Sequence, residues 1–152
     1  MESVAEIRKR ILTLFDSQFF AVLATGTQDN CPYTNLVAFF ADPDLNSMTF
    51  ITPRATRKFE NISKNPSVSL FIDNRNNESR DLADATGVTV TGHAYEATGT
   101  ERERMLNAYI ARHPRMESFA RSPGSAVMCV RVERYDVVYR FQNVVTLQVK
   151  QE

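Results

Sequence analysis

The chain has 152 residues, 43% of them hydrophobic, with 18 basic and 18 acidic side chains and a formal net charge of zero. That length suits one domain with a sizeable core. The charge balance argues against a dedicated nucleic-acid or polyanion binder, whose domain is normally strongly basic, and leaves little self-repulsion to oppose self-association.

No apolar run approaches the ~20 residues that a membrane-spanning helix needs. The opening residues 1–6 are acidic and are not followed by a signal-peptide core. Cys31 and Cys129 form no CxxC motif and have no metal-ligand spacing with His93 or His113. Two lone thiols without a secretion signal point to a reducing, cytoplasmic setting.

In chain order, Val4, Ile7, Ile11, Leu14 and Phe15 recur at helical spacing, which predicts an amphipathic helix over residues 3–16. Residues 19–25 form an apolar, β-favouring run. The turn material of residues 26–30 separates it, at hairpin distance, from a second run over residues 32–41. After another turn at residues 42–47, a third strand covers residues 48–52. Phe59 and Ile62 give one face of a short helix that Asn65-Pro66 stops, and residues 68–72 alternate as a fourth strand. Residues 74–86 are polar and aperiodic, and a loop of that length is usually functional or mobile.

Val88, Val90 and Ala94 carry the strand pattern across Gly92. Thr100 and Glu103 have capping-box spacing, ahead of a helical face of Met105, Leu106, Tyr109 and Ile110 that ends at His113-Pro114. Residues 115–120 suggest one more helical turn. Three strand-like runs follow, over residues 126–132, 135–141 and 144–149. About seven strands with two or three helices and no βα alternation argue against a parallel Rossmann sheet. A mainly β fold, an antiparallel barrel with peripheral helices, fits best, because closure removes exposed edges.

The stretch Thr52-Pro53-Arg54-Ala55-Thr56-Arg57-Lys58 puts three cations in what reads as the first turn of a helix. The helix dipole is positive there, so each cation costs a few tenths of a kcal/mol, up to about 1. A bound anion reverses the sign, because backbone N–H groups, hydroxyls, Arg and Lys can all serve one phosphate. A solvated basic loop is the competing reading. Elsewhere the sequence has no GxGxxG, Walker A, HExxH or GxSxG motif. His93 lies within a strand run and reads as structural. His113, at a helix C-terminus, sits where partial positive charge is favourable. Cys31 and Cys129 read as turn or core residues. With no nucleophile or metal site in view, a borrowed cofactor is the natural place for any chemistry.

From residue 19 to residue 149 the order of segments resembles the pyridoxamine-phosphate-oxidase-like family of FMN-binding split barrels. The resemblance rests on the opening hairpin and on Phe50-Ile51-Thr52, Thr56-Arg57-Lys58, Asn61-Ile62 and Asn65-Pro66-Ser67-Val68-Ser69-Leu70. It implies a split antiparallel β-barrel that binds FMN without a covalent link. Thr52, Thr56, Arg57 and Lys58 would serve the phosphate and ribityl chain. Asn35, Leu36 and Val37 would lie along the ring, and Ile51 would line the same pocket. Arg54 would be peripheral.

The resemblance also implies a homodimer with the flavin at the subunit interface. Residues 140–143, Gln142 among them, are the candidate partner-supplied edge, with a plain hairpin bend as the alternative. The chain departs from the true oxidase in two places. It lacks an Arg-x-His arrangement near residues 135–143, and it has Gly87 where that enzyme offers a Gln to the flavin. What is implied is therefore an FMN-dependent oxidoreductase acting on an unidentified small molecule, and the two departures argue against a vitamin B6 substrate. A flavin store or electron carrier is one alternative. A haem protein, with His93 or His113 as its iron ligand, is another. Nucleic acid and membrane are not expected partners.

Overall fold

The computed structural model describes residues 1–150. Ser3 opens helix α1 (Val4–Ser17) with a complete capping box: its hydroxyl accepts the Glu6 N–H and the Glu6 carboxylate accepts the Ser3 N–H. Strands β1 (Phe20–Gly26) and β2 (Pro32–Ala38) form the predicted hairpin, in the register Val22↔Leu36 and Leu23↔Asn35. The long run expected over residues 32–41 divides, and a two-residue strand β3 (Phe40–Ala41) pairs instead with β4 (Ser47–Pro53). Helix α2 (Arg57–Lys64) and strand β5 (Ser67–Asp73) follow. Within the predicted loop at residues 74–86 there is one helical turn, α3 (Asp81–Asp84).

Strand β6 (Gly87–Glu96) precedes helix α4 (Gly99–Arg112). Thr98 is the N-cap of α4, two residues earlier than the Thr100–Glu103 spacing suggested, and no side chain caps it. A 3₁₀ turn (Pro114–Met116) leads into α5 (Glu117–Ala120). Two of the three C-terminal runs fuse into one strand, β7 (Ser125–Tyr139), which the last run, β8 (Asn143–Gln148), pairs. The described residues thus contain five α-helices rather than two or three, α3 and α5 being single turns.

The strands form one antiparallel sheet in the order β2-β1-β5-β6-β7-β4-β3. Strand β7 explains the split. One edge pairs β6 along its length, while the other pairs β4 through residues 125–131 and β8 through residues 134–139. The register of β6 on β7 shifts between Thr91 and Gly92, and a Cβ on Gly92 would sit 2.3 Å from the Arg131 carbonyl oxygen. Only glycine lets the strands approach there. The sheet curls into the split antiparallel β-barrel that the sequence led us to expect.

Two cores result. The barrel interior holds Leu23, Phe50, Leu70, Val90 and Tyr135, closed by Ile11, Leu14 and Phe15 of α1. Phe15 meets Phe39 edge-to-face at 5.5 Å, and the buried Tyr135 hydroxyl donates to the Leu45 carbonyl at 2.8 Å. A smaller core lies outside the barrel wall, where α4 and α5 cover Ile51, Val127 and Cys129 with Met105, Leu106, Tyr109 and Ala120. Strand β4 is therefore buried on both faces, with Met48 and Phe50 in the barrel core, Ile51 in the outer core, and the small polar Ser47, Thr49 and Thr52 buried beside them. Each fully buried Leu or Phe contributes about 1.5–3 kcal/mol.

Candidate functional site

The basic turn sits between β4 and α2. Thr56 is the N-cap of α2, its hydroxyl accepting the Phe59 N–H at 3.3 Å. That hydroxyl also lies 2.9 Å from the Pro53 carbonyl, to which it donates, and 2.9 Å from the Thr52 hydroxyl. Both Thr hydroxyls are thus engaged within the turn and fix its shape. Only two of the three cations, Arg57 and Lys58, fall in the first helical turn. Arg54 lies before the helix, paired with Glu96 at 2.7 Å and donating to the Pro123 carbonyl at 2.8 Å. It is tied down by these contacts rather than merely solvated, and it is not part of the lining of the adjoining cleft.

Arg57 is exposed and stacks 4.5 Å above the Tyr33 ring of β2. Lys58 is half-buried, and desolvation pushes its pKa below the usual lysine value. The first N–H groups of α2 have no intrahelical partner, and the dipole there favours an anion. A carboxylate is absent from the side chains around Lys58 that line the adjoining cleft.

That cleft, of about 800 Å³, runs outside the barrel wall between the β2–β4 gap and the α4–α5 segment. Leu36, Val37, Ile51, Pro53 and Lys58 form one side. Phe19, Phe20, Tyr109, Arg112, His113, Arg115, Met116 and Phe119 form much of the other. Of the sequence-derived candidates, Leu36, Val37, Ile51 and Lys58 therefore share one cavity. Thr52 and Thr56 shape the turn at its end. Asn35 neighbours Leu36 on β2, and its buried Oδ1 has no hydrogen-bond partner among the described residues. Gln142 belongs to the β7–β8 turn, where its N–H donates to the Arg140 carbonyl at 2.9 Å; it does not line this cleft.

The α4 side of the cleft was not legible in the sequence. Tyr109 and His113 read as the face and end of a helix, and only tertiary placement turns them into a wall. Burial pushes the Tyr109 phenol up to about 12, so it stays neutral. His113 corrects the idea of a charge-friendly helix end. It is buried, its ring lies 4.8 Å from that of Tyr109, and desolvation lowers its pKa. Its Nε2 lies 2.7 Å from the Phe39 carbonyl oxygen, a distance that requires the N–H tautomer at that nitrogen. His93 is remote from this wall, paired with Glu133 on β7 and half-exposed.

The profile of the family described as pyridoxamine 5'-phosphate oxidase matches residues 7–139. The chain belongs to that family. No curated protein sequence matches it. Among solved structures, a haem-binding protein from Mycobacterium smegmatis superposes with a TM-score of 0.82 at 21% identity, over 97% of this chain and 59% of the other. ChuZ from Campylobacter jejuni superposes at 0.78 and 11% identity, over 97% and 61%. A putative pyridoxamine 5'-phosphate oxidase from Listeria innocua superposes at 0.69 and 17% identity, over 88% and 98%. At these identities the likeness is one of fold. The chain spans about three-fifths of the length of the first two proteins.

The donor set fits FMN. A phosphate calls for the Arg57 and Lys58 cations and the open end of α2, and a flavin ring calls for an apolar wall with few polar contacts. Asn35 adjoins Leu36 on β2, but it does not line the cleft and its Oδ1 is buried. Among the described residues no cluster of His, Cys, Asp or Glu could hold a metal ion, and no helix is long and apolar enough to cross a membrane.

Proposed function

We propose that this member of the pyridoxamine 5'-phosphate oxidase family binds FMN in the cleft beside α2 and works as a flavin-dependent oxidoreductase on a small organic molecule. The observation that carries the reading is Lys58, a cation with no ion pair among the described residues, in a largely apolar cleft at the N-terminal end of a helix. With Arg57 beside it, Lys58 would hold the FMN phosphate, while Leu36, Val37 and Ile51 would flank the ring. Thr52 and Thr56 would act by holding the turn that presents both cations. The bound flavin supplies hydride acceptance and donation at its ring. The chain's own part is to orient the ring, exclude water and set the hydrogen bonds at its edge.

The reading includes a homodimer. The outer faces of β1, β2 and β5 expose Phe20, Leu36 and Phe71, at 60%, 66% and 41%. Phe20 and Leu36 also line the cleft, so a second copy seated on this face would complete its open side. The turn carrying Gln142 is the candidate partner contribution. Arg140 and the exposed Phe141 there both have positive φ, +46° and +74°, a conformation non-glycine residues hold at a cost.

Haem is the second reading, favoured by the fold-level likeness to the Mycobacterium smegmatis haem-binding protein and by His113 in the cleft wall. Its weakness is that Nε2 of His113 already serves the Phe39 carbonyl. The absorbance spectrum after loading and desalting separates the readings. Retained flavin bands are expected; a Soret band after adding haemin, with no flavin uptake, would favour haem. Bleaching of the flavin by NAD(P)H and reoxidation by a substrate separate an enzyme from an electron carrier.

A further inference from the structure

Arg54 is the cation of the basic turn that the rest of the fold grips hardest. Both carboxylate oxygens of Glu96 hold its guanidinium, Oε1 accepting from Nε at 3.3 Å and Oε2 from Nη2 at 2.7 Å. Its Nη1 donates to the Pro123 carbonyl at 2.8 Å, and its backbone N–H donates to the Gly124 carbonyl at 2.9 Å. Glu96 ends β6, and residues 123–124 lead into β7, whose Ser125 pairs with Pro53 at the end of β4. In the strand order β6-β7-β4, Arg54 therefore reaches across the start of β7 and ties three neighbouring strand ends together. A single exposed ion pair is worth little, but a bidentate fork with two further backbone bonds defines one geometry.

We propose that Glu96 is a positioning residue for the phosphate end of the cleft. Acting through Arg54, it fixes the β4–α2 turn so that Arg57, Lys58 and the open N–H groups of α2 face one anion. The inference rests on the flavin reading and deepens it. Glu96 and Arg54 are absent from the cleft lining, so neither is a ligand in this account.

Two effects oppose each other at Glu96, and their signs separate positioning from charge. Its carboxylate lowers the positive potential around the turn, so by charge alone its removal strengthens phosphate binding. As an anchor, its removal frees Arg54 and loosens the turn, so that binding must reorder the cations and weakens. The anchor effect wins. The charge effect acts through solvent, which screens it, because both side chains of the pair are partly exposed. The anchor effect acts on every hydrogen bond the turn offers a phosphate.

The test titrates FMN and riboflavin, which lacks the phosphate, into the full chain, Glu96→Gln, Arg54→Lys and the variant carrying both. Circular dichroism checks that each is folded. Glu96→Gln should lower FMN affinity several-fold and leave riboflavin affinity unchanged. Arg54→Lys keeps the charge but loses the fork, and should do the same. The double variant should lose little more than either single one, because both break one clasp. Unchanged or raised FMN affinity in Glu96→Gln overturns the inference alone. So does an equal loss for both flavins, which marks a general structural role, or full additivity in the double variant. A parent protein that does not prefer FMN to riboflavin overturns the flavin-phosphate reading and this inference with it.

Discussion

The outer surface of the barrel is treated in two ways. Over β4 and β7 it is covered by the chain itself, where α4 and α5 bury Ile51, Val127 and Cys129 under Leu106 and Tyr109. Over β1, β2 and β5 it is bare, and Phe20, Leu36 and Phe71 face outward. Both halves carry apolar residues at the outward positions of strands, so local sequence does not distinguish them. The difference lies in which half the chain supplies with a helix. The candidate cleft opens along the seam between them, which links the question of its ligand to the question of what covers the bare half.

Five substitutions probe that contrast. Leu106→Ala, on the covered half, should destabilise the fold by roughly 2–5 kcal/mol in a urea unfolding curve, the cost of a cavity in a packed core. An effect as small as that of a surface substitution would show that the α4 core is not a true core. On the bare half, Leu36→Asp should weaken self-association roughly 30-fold or more, the scale of an interface hot spot. Sedimentation equilibrium reads it, and an unchanged dimer, or a monomeric parent protein, removes the second-copy account. Phe20→Ser on the same face should shift unfolding of the isolated monomer by no more than about 0.5 kcal/mol.

At the seam, Thr56→Ala removes the α2 cap and should cost about 1 kcal/mol. The smallest effect belongs to Lys58. Its native pKa is depressed, so between that value and the unfolded one of about 10.4 the unfolded chain binds more protons, and stability rises with pH. Below the native value, that penalty on the buried ammonium is fully present. Lys58→Met should therefore flatten the alkaline part of a melting-temperature profile and melt no lower than the parent at neutral pH. A clear fall in melting temperature would mean that Lys58 stabilises the fold.

Much of the fold was legible because its signals are local. The α1 spacing, the β1–β2 hairpin and the Asn65-Pro66 stop are each written within a few residues. The fusion of residues 126–132 and 135–141 into β7 was hidden because Glu133 and Arg134 interrupt the apolar run yet sit on an exposed stretch of the same strand. The capping residue of α4 was misplaced because Thr98 caps without a side-chain bond, leaving no motif to find.

The site was half legible. Lys58 and Leu36 came from one family-like segment and its neighbouring hairpin. The wall of Tyr109, Arg112 and His113 came only from the packing of α4 against β4. Three cations in sequence also became two at the helix end once Glu96, 42 residues away, claimed Arg54.

The central claim is that Arg57 and Lys58 hold one flavin phosphate. Titration with FMN and with riboflavin, which lacks that phosphate, tests it most directly in the parent protein and in Arg57→Ala/Lys58→Ala. The account predicts that the parent prefers FMN by about tenfold or more, the worth of charge-assisted hydrogen bonds. The double variant should lose that preference while keeping a folded circular-dichroism spectrum. Equal affinity of the parent for the two flavins, or parent-like FMN affinity in the double variant, would contradict it.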